Sequence, residues 1–401
     1  MAFEQDKGWA YVVALASWSI IIFTDMAFRS PGIYYTYMAE YFEAYAVNVG
    51  FGLSMIRTLN FLLGVLGAIL VERSNCRLVT FFSSLLMMSG TFLIYMSTSF
   101  YQLIIACTLI GIGLSLANYV SYYILDVYFK QHFEFVISVL LVIRGIGAII
   151  STPVTQVMVM VYGWKSAFLI NAGLSYQICV CGSVFRTPKK TIRNKGNNSN
   201  IYKLCHFSLF KNKMFRTLLV VSCVQAASEG IILTMTDDLE ERGASLYLSQ
   251  SIGIIYGIGS LLGRPFHYVF SKCFTTDLLI HLAVCFLIAT FSTFISCVFT
   301  SVTSVFLYIF MYSFFTGWID AVKPLFMKYE IDADEFAYGY AWTYVFYGLG
   351  SCIIIPITGL LRDSTGSYWA SEVLFFVLSG IGLGIVLNVI YHRRIHYKLL
   401  Q

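Results

Sequence analysis

Residues 101–128 read YQLIIACTLIGIGLSLANYVSYYILDVY, with no charged side chain before Asp126. A stretch of that length and apolarity predicts a helix long enough to cross a bilayer, because about 20 residues at 1.5 Å rise span a hydrocarbon core about 30 Å thick. Lipid offers a bare peptide N–H no partner, so a chain crossing it must close its hydrogen bonds within each segment. Working outward, stretches of the same kind recur at Trp9 to about Tyr37, Val47–Val71, Leu78–Ser97, Phe135–Val161 and Lys165–Phe185. They continue at Phe215–Met235, Leu248–Phe270, Leu278–Phe299, Val302–Met327, Phe336–Leu361 and Trp369–Tyr391. The expectation is an all-α membrane protein of twelve transmembrane helices. Composition agrees: of 401 residues, 58% are hydrophobic and only 12% charged, a balance no soluble domain of this size keeps.

The longest polar connection, Thr187 to Lys213, carries Lys189, Lys190, Arg193, Lys195, Lys203, Lys211 and Lys213 and no acid. The positive-inside rule makes it cytoplasmic. Parity then places both termini inside, in keeping with Arg393, Arg394 and Lys398, and puts the acidic turn Asp237, Asp238, Glu240 and Glu241 outside. The division is a six-helix bundle over 1–186, a basic linker over 187–213 and a second six-helix bundle over 214–401. Such a layout points to a secondary transporter with its solute site between the bundles near the midplane. Tethered to a membrane and without interleaved stacking aromatics, the basic loop is a topological signal and not a nucleic-acid patch. The sequon Asn197-Asn198-Ser199 falls in it and is expected to carry no glycan. Met1–Lys7 is short and polar, and the first apolar stretch is too long for a cleavable signal.

Ten cysteines lie mostly within apolar runs, where thiols act as small hydrophobes, and neither they nor the six histidines have metal-ligand spacing. No clustered carboxylates, Ser-His set or zinc motif suggests an enzyme, and no cofactor or metal is expected.

Charges inside spans cost at least about 2.5–3.5 kcal/mol each, so each needs a partner, a wet cavity or a task. Arg264 follows Gly253, Gly257, Gly259 and Gly263 and precedes Pro265. Its planar fork suits a carboxylate, either of the substrate or of an acid on another helix. Asp25 and Arg29 stand at i, i+4 and form a closed pair or leave Arg29 for a ligand. Asp320 and Lys323 share a face ahead of Pro324, as an ion pair or as a proton site with its modulator. Glu229 is a second candidate proton carrier or a residue near the outer water. Arg57 and Arg144 also lie within spans, where helix packing is the simplest role.

Several motifs together resemble the monocarboxylate transporter family of the major facilitator superfamily, also called solute carrier family 16. Gly8-Trp9-Ala10-Tyr11-Val12-Val13 resembles its Gly-Trp-x-Trp-Val-Val opening, and Arg29-Ser30-Pro31-Gly32 its cation before Ser-x-Gly. Arg73-Ser74-Asn75-Cys76-Arg77 is similar to its Arg-Phe-Gly-Cys-Arg loop. Tyr128-Phe129-Lys130 resembles Tyr-Phe-x-Lys, and Tyr162-Gly163-Trp164-Lys165-Ser166-Ala167-Phe168 its Tyr-Gly-Trp-Arg-x-Ala-Phe turn. Pro356 to Tyr368 is similar to Pro-x-x-Gly-x-Leu-x-Asp-x-Thr-Gly-Ser-Tyr.

The resemblance implies the major facilitator fold and alternating-access transport of a small monocarboxylate or related solute, with Arg264 and Arg29 at the substrate. It places Arg73, Arg77, Asp126, Lys130 and Arg144 at a cytoplasmic gate. Asp320, Lys323, Glu229 and Asp25 are candidates for proton coupling or gating. It further implies a plasma-membrane address and a possible single-span glycoprotein chaperone. Lactate-carrying members have an Asp one turn before the Arg of the eighth span; here that place is Ser260, which favours an amino-acid-like or zwitterionic cargo carried without a proton, or a transport-inactive receptor.

Overall fold

The computed structural model describes residues 6–400 except 30, 43–45, 187–205, 229–234, 236–237, 240–241, 246–247, 249–250, 274–276, 300 and 332–334. The sequon, most of the basic linker and Glu229 lie outside the described residues. The described chain is helical throughout: α1 Trp9–Arg29, α2 Pro31–Tyr41, α3 Ala46–Leu62, α4 Gly64–Arg73, α5 Cys76–Met96, α6 Phe100–Tyr128, α7 Phe133–Tyr162 and α8 Trp164–Ser183. A 3₁₀ turn at Phe207–Lys211 leads into α9 Lys213–Ser228, followed by α10 Ile252–Cys273, α11 Leu278–Val298, α12 Val302–Glu330, α13 Phe336–Thr365 and α14 Trp369–Leu400.

These helices account for the twelve expected spans, the first two as the pairs α1 with α2 and α3 with α4. The second pair is bent by 49° where Leu63 separates its halves. Seven of the described helices pass as spans on length and apolarity alone, eight with the bent pair. Within α10 the apolar helix Ile252–Phe266 falls below span length over its described residues.

The chain divides into two units, one of residues 1–207 with 340–348 and the other of 208–339 with 349–401. In unit 1, α3 and α5 both pack on α6, α5 packs on α8, and α1 packs on α7 and α8. Unit 2 repeats the scheme: α10 and α11 both pack on α12, α11 packs on α14, and α9 packs on α14. The same pairing of second with fourth, third with fourth, third with sixth and first with sixth helix is what an internal repeat of six spans produces.

Packing inverts the water-soluble pattern. Helix α5 exposes Leu78, Phe81, Phe82, Leu85 and Phe92, and buries Thr80, Ser83, Ser84, Gly90 and Thr91. Lipid is as apolar as leucine, so burying leucine gains nothing, and helices associate through small residues and interhelical hydrogen bonds. Ser83 Oγ accordingly donates to the Gly113 carbonyl of α6 at 2.8 Å, and Ser84 Oγ to the Ser175 carbonyl of α8 at 2.9 Å. In unit 2 the expected glycine face does the same work: Gly263 lies against the Phe314 backbone of α12, and Gly317 against the Ser260 carbonyl of α10. The turn glycines of two family-like motifs have left-handed backbone, φ 78° at Gly163 and φ 70° at Gly366, which a side chain would strain.

The described cysteines are free thiols. Before α1, Asp6 accepts from the main-chain N–H groups of Lys130 and Gln131 at 3.3 Å and of His132 at 3.2 Å, tying off the start of α7 from outside the helix. Slight desolvation raises the Asp6 pKa, but the three N–H donors outweigh it and hold the carboxyl below 3.8. A lowered carboxylate stabilises the fold above its unfolded pKa and loses that contribution as pH falls through the folded value.

Two outcomes follow from this packing. Gly263→Val should lower the stability of the detergent-solubilised protein by about 1–3 kcal/mol, read as a lower thermal midpoint, because α10 cannot retreat from the α12 backbone. Asp6→Ala should lower it by about 1 kcal/mol, with the gap to wild type closing as pH is taken below 3.8.

Candidate functional site

Three helices of unit 2 carry one charged constellation. Arg264, on α10, is 6% exposed, one turn after the buried Ser260. The α10–α12 approach through Gly263 and Gly317 sets Arg264 near Asp320, whose carboxylate feels its charge. On α12, Lys323 Nζ lies 3.1 Å from Asp320 Oδ1, so the shared face read from the i, i+3 spacing is an ion pair. Gln225 of α9 closes the ring: its Nε2 donates to Asp320 Oδ1 at 3.1 Å, and its Oε1 accepts from Lys323 Nζ at 2.8 Å. Pro324, next in α12, lacks the N–H that the main-chain carbonyl of Asp320 would otherwise take, which loosens the helix beside the pair. A third of the Asp320 side chain is exposed, so the ring borders accessible space. Among the described residues the constellation gathers the cations Arg264 and Lys323 and the carboxylate of Asp320.

Unit 1 carries a second polar network. Arg144 lies in α7, about 16 Å along the helix from Phe133 at 1.5 Å per residue. Its Nε is 3.5 Å from Asp25 Oδ1, Nη2 donates to Asn118 Oδ1 at 3.1 Å, and Nη1 donates to the hydroxyls of Tyr122 and Tyr344 at 3.2 Å. Asn118 in turn donates to Asn60 Oδ1 at 2.8 Å and accepts from Thr24 Oγ1 at 3.2 Å. The acid expected to face Arg29 along α1 thus has Arg144 of α7 as its cation; the Arg29 side chain lies outside the described residues. Arg57 stacks over Phe28 at 5.6 Å.

The gate candidates part company. At the end of unit 1 where α6 runs into α7, Arg77 Nε donates to the Phe185 carbonyl, and Tyr128 OH donates to the Arg186 carbonyl at 2.8 Å. The Arg186 guanidinium covers the Trp9 ring at 4.2 Å. The main-chain N–H of Lys130 is held by Asp6 at the same end. Arg73 ends α4 exposed, and Asp126 is half-buried near the end of α6. Arg144 does not join this group. Charge inside spans led to Arg264, Asp320, Lys323, Asp25 and Arg144, but Gln225, Asn60 and Asn118 carry no such signal. A neutral amide within an apolar run looks like any tolerated polar residue until the helix opposite it is known.

A helical membrane transporter is the class this fold and constellation define. The sequence matches the Major Facilitator Superfamily over residues 17–327, and the chain belongs to that superfamily. It is 23% identical to Monocarboxylate transporter 12 of Xenopus laevis, over 94% of this chain and 87% of the relative. It is 22% identical to Monocarboxylate transporter 12-B of Danio rerio, over 94% and 85%. Over a shorter stretch, 46% of this chain and 38% of the relative, it is 28% identical to Monocarboxylate transporter 3 of Rattus norvegicus. Among solved structures, the outward conformation of the transporter FucP superposes with a TM-score of 0.71 at 11% identity, covering 94% of this chain and 98% of that one. The E. coli fucose:proton symporter FucP gives 0.68 at 12% identity, covering 95% and 98%. These likenesses show the fold.

The ring makes a coupling prediction. Lys323→Met removes the cation paired with Asp320 and should destabilise the protein more than the double variant Lys323→Met/Asp320→Leu, the interaction amounting to about 0.5–3 kcal/mol in a double-mutant cycle of thermal midpoints.

Proposed function

We propose that this protein carries a small monocarboxylate or related carboxylate-bearing solute across the membrane by alternating access, with the guanidinium of Arg264 holding the substrate carboxylate. The observation that carries the reading is the placement of Arg264, 6% exposed within α10, beside the polar ring of Asp320, Lys323 and Gln225 that borders accessible space. A planar guanidinium can hold both oxygens of a substrate carboxylate at once. In this reading Asp320 pairs with Lys323 and helps to hold it and Arg264 in place while the site is empty. Arg29 is a second substrate cation in this reading. The relatives named as monocarboxylate transporters support the substrate class.

A second reading keeps the same anchor and changes the cargo. Ser260 stands one turn before Arg264, where lactate carriers have an acid, and favours a proton-independent carrier of amino-acid-like or zwitterionic solutes. In both readings the termini are cytoplasmic, the address is the plasma membrane, and a single-span glycoprotein is a candidate escort to it.

Uptake of labelled lactate, pyruvate, amino acids and creatine into proteoliposomes, with and without an inward proton gradient, separates the two. Lactate uptake stimulated by the gradient supports the first, and gradient-independent uptake of a zwitterion the second. In either case Arg264→Ala should insert normally and lose roughly 10- to 100-fold in uptake, the cost of about 1.5–3 kcal/mol for a hydrogen bond to a charged group. Arg264→Lys should recover part of it. Wild-type uptake by the alanine variant would remove Arg264 from the site.

A further inference from the structure

Away from Arg264, unit 2 buries a second set of charges that transport of a carboxylate does not use. Glu372, in the first turn of α14, is 1% exposed. Its Oε1 accepts from Arg242 Nη2 at 2.7 Å and from Ser296 Oγ of α11 at 2.8 Å. Its Oε2 has no hydrogen-bond partner among the described residues. Arg242 is shared: its Nε lies 2.9 Å from Asp238 Oδ2, and its Nη1 donates to the Phe299 carbonyl at 3.3 Å. One guanidinium thus answers two carboxylates, and none of the three side chains is more than 14% exposed. The other titratable neighbours among the described residues, Tyr308 of α12 and Cys297 of α11, bring no positive charge.

Ionised, Glu372 holds a buried carboxylate oxygen with no hydrogen bond among the described residues, an arrangement far costlier than the neutral acid. A metal ion does not suit it, since no group of three or more His, Cys, Asp or Glu with metal-binding geometry occurs among the described residues.

We propose that Glu372 is a proton-binding site, taking up one proton on Oε2 from the water beside the turn between α13 and α14. One O–H bond forms and the Glu372 carboxylate loses its negative charge; no other covalent bond changes. The same event removes the charge that draws Arg242 toward α14. Arg242 keeps Asp238, four residues earlier, and its own tie to the start of α14 weakens. This site stands whether or not Arg264 binds the substrate, because it shares no residue with that constellation.

The test needs no substrate. Infrared difference spectra of the purified full-length chain in nanodiscs, recorded as pH is raised, should show a buried carboxylic-acid carbonyl band that disappears with deprotonation and is missing from Glu372→Gln. Asp238→Asn removes the competing charge and should shift that band's titration to lower pH with Glu372 intact, so the proposal remains testable if Glu372→Gln fails to insert. Amide hydrogen exchange in residues 238–245, corrected for intrinsic rates, should be several-fold faster on the acid side of the titration in wild type. A titrating band that survives in Glu372→Gln, the absence of any titrating band, an unshifted titration in Asp238→Asn, or pH-independent exchange would each overturn the proposal.

Discussion

A peptide group inside hydrocarbon has no water to bond, and nearly everything else in this protein follows from that. It forces the chain into helices of roughly bilayer length, and it removes the usual reason for burying large apolar side chains. Helix α5 makes the consequence visible: phenylalanines and leucines face outward while serine, threonine and glycine face α6 and α8. Contact is then held by close backbone approach and by hydroxyl-to-carbonyl bonds, as at Ser83, Ser84 and the Gly263–Phe314 crossing.

The same absence of water decides where charge can live. Asp320, Asp25 and Glu372 are each held by partners beyond their own helix: Asp320 by Gln225 as well as by Lys323 of the same helix, Asp25 by Arg144 and its amides, Glu372 by Arg242 and Ser296. The three differ in setting: Asp320 borders accessible space, whereas Glu372 is buried with one carboxylate oxygen that has no hydrogen bond among the described residues. Burying an ionised group without full hydrogen bonding is costly, which is what sets Glu372 apart.

Membership in the Major Facilitator Superfamily fits the repeat seen inside the chain, where helices of units 1 and 2 pair in the same order. Identities near 23% to monocarboxylate transporters leave ample room for change within the spans. Arg144 and Asp25 belong to one network that joins α1, α3, α6 and α7, while the end where α6 meets α7 is held by main-chain carbonyls and the Asp6 carboxylate. Substituting within either would therefore disturb a different property of the same unit.

The all-helical membrane fold and the presence of Arg264, Asp320 and Lys323 as charges within spans that need an explanation were legible in the linear chain. Hydrophobicity and charge are properties of a segment by itself, and i, i+3 spacing is fixed by the helix alone. Asp25 shows where that legibility stops: its helical neighbour at i+4 is Arg29, yet the described partner is Arg144, over a hundred residues away. Gln225, Asn118, Asn60 and Arg242 were silent for the same reason. Which side chain meets a buried charge depends on how helices distant in sequence are set against one another, and that is fixed by packing between their surfaces, not by any pattern along one of them.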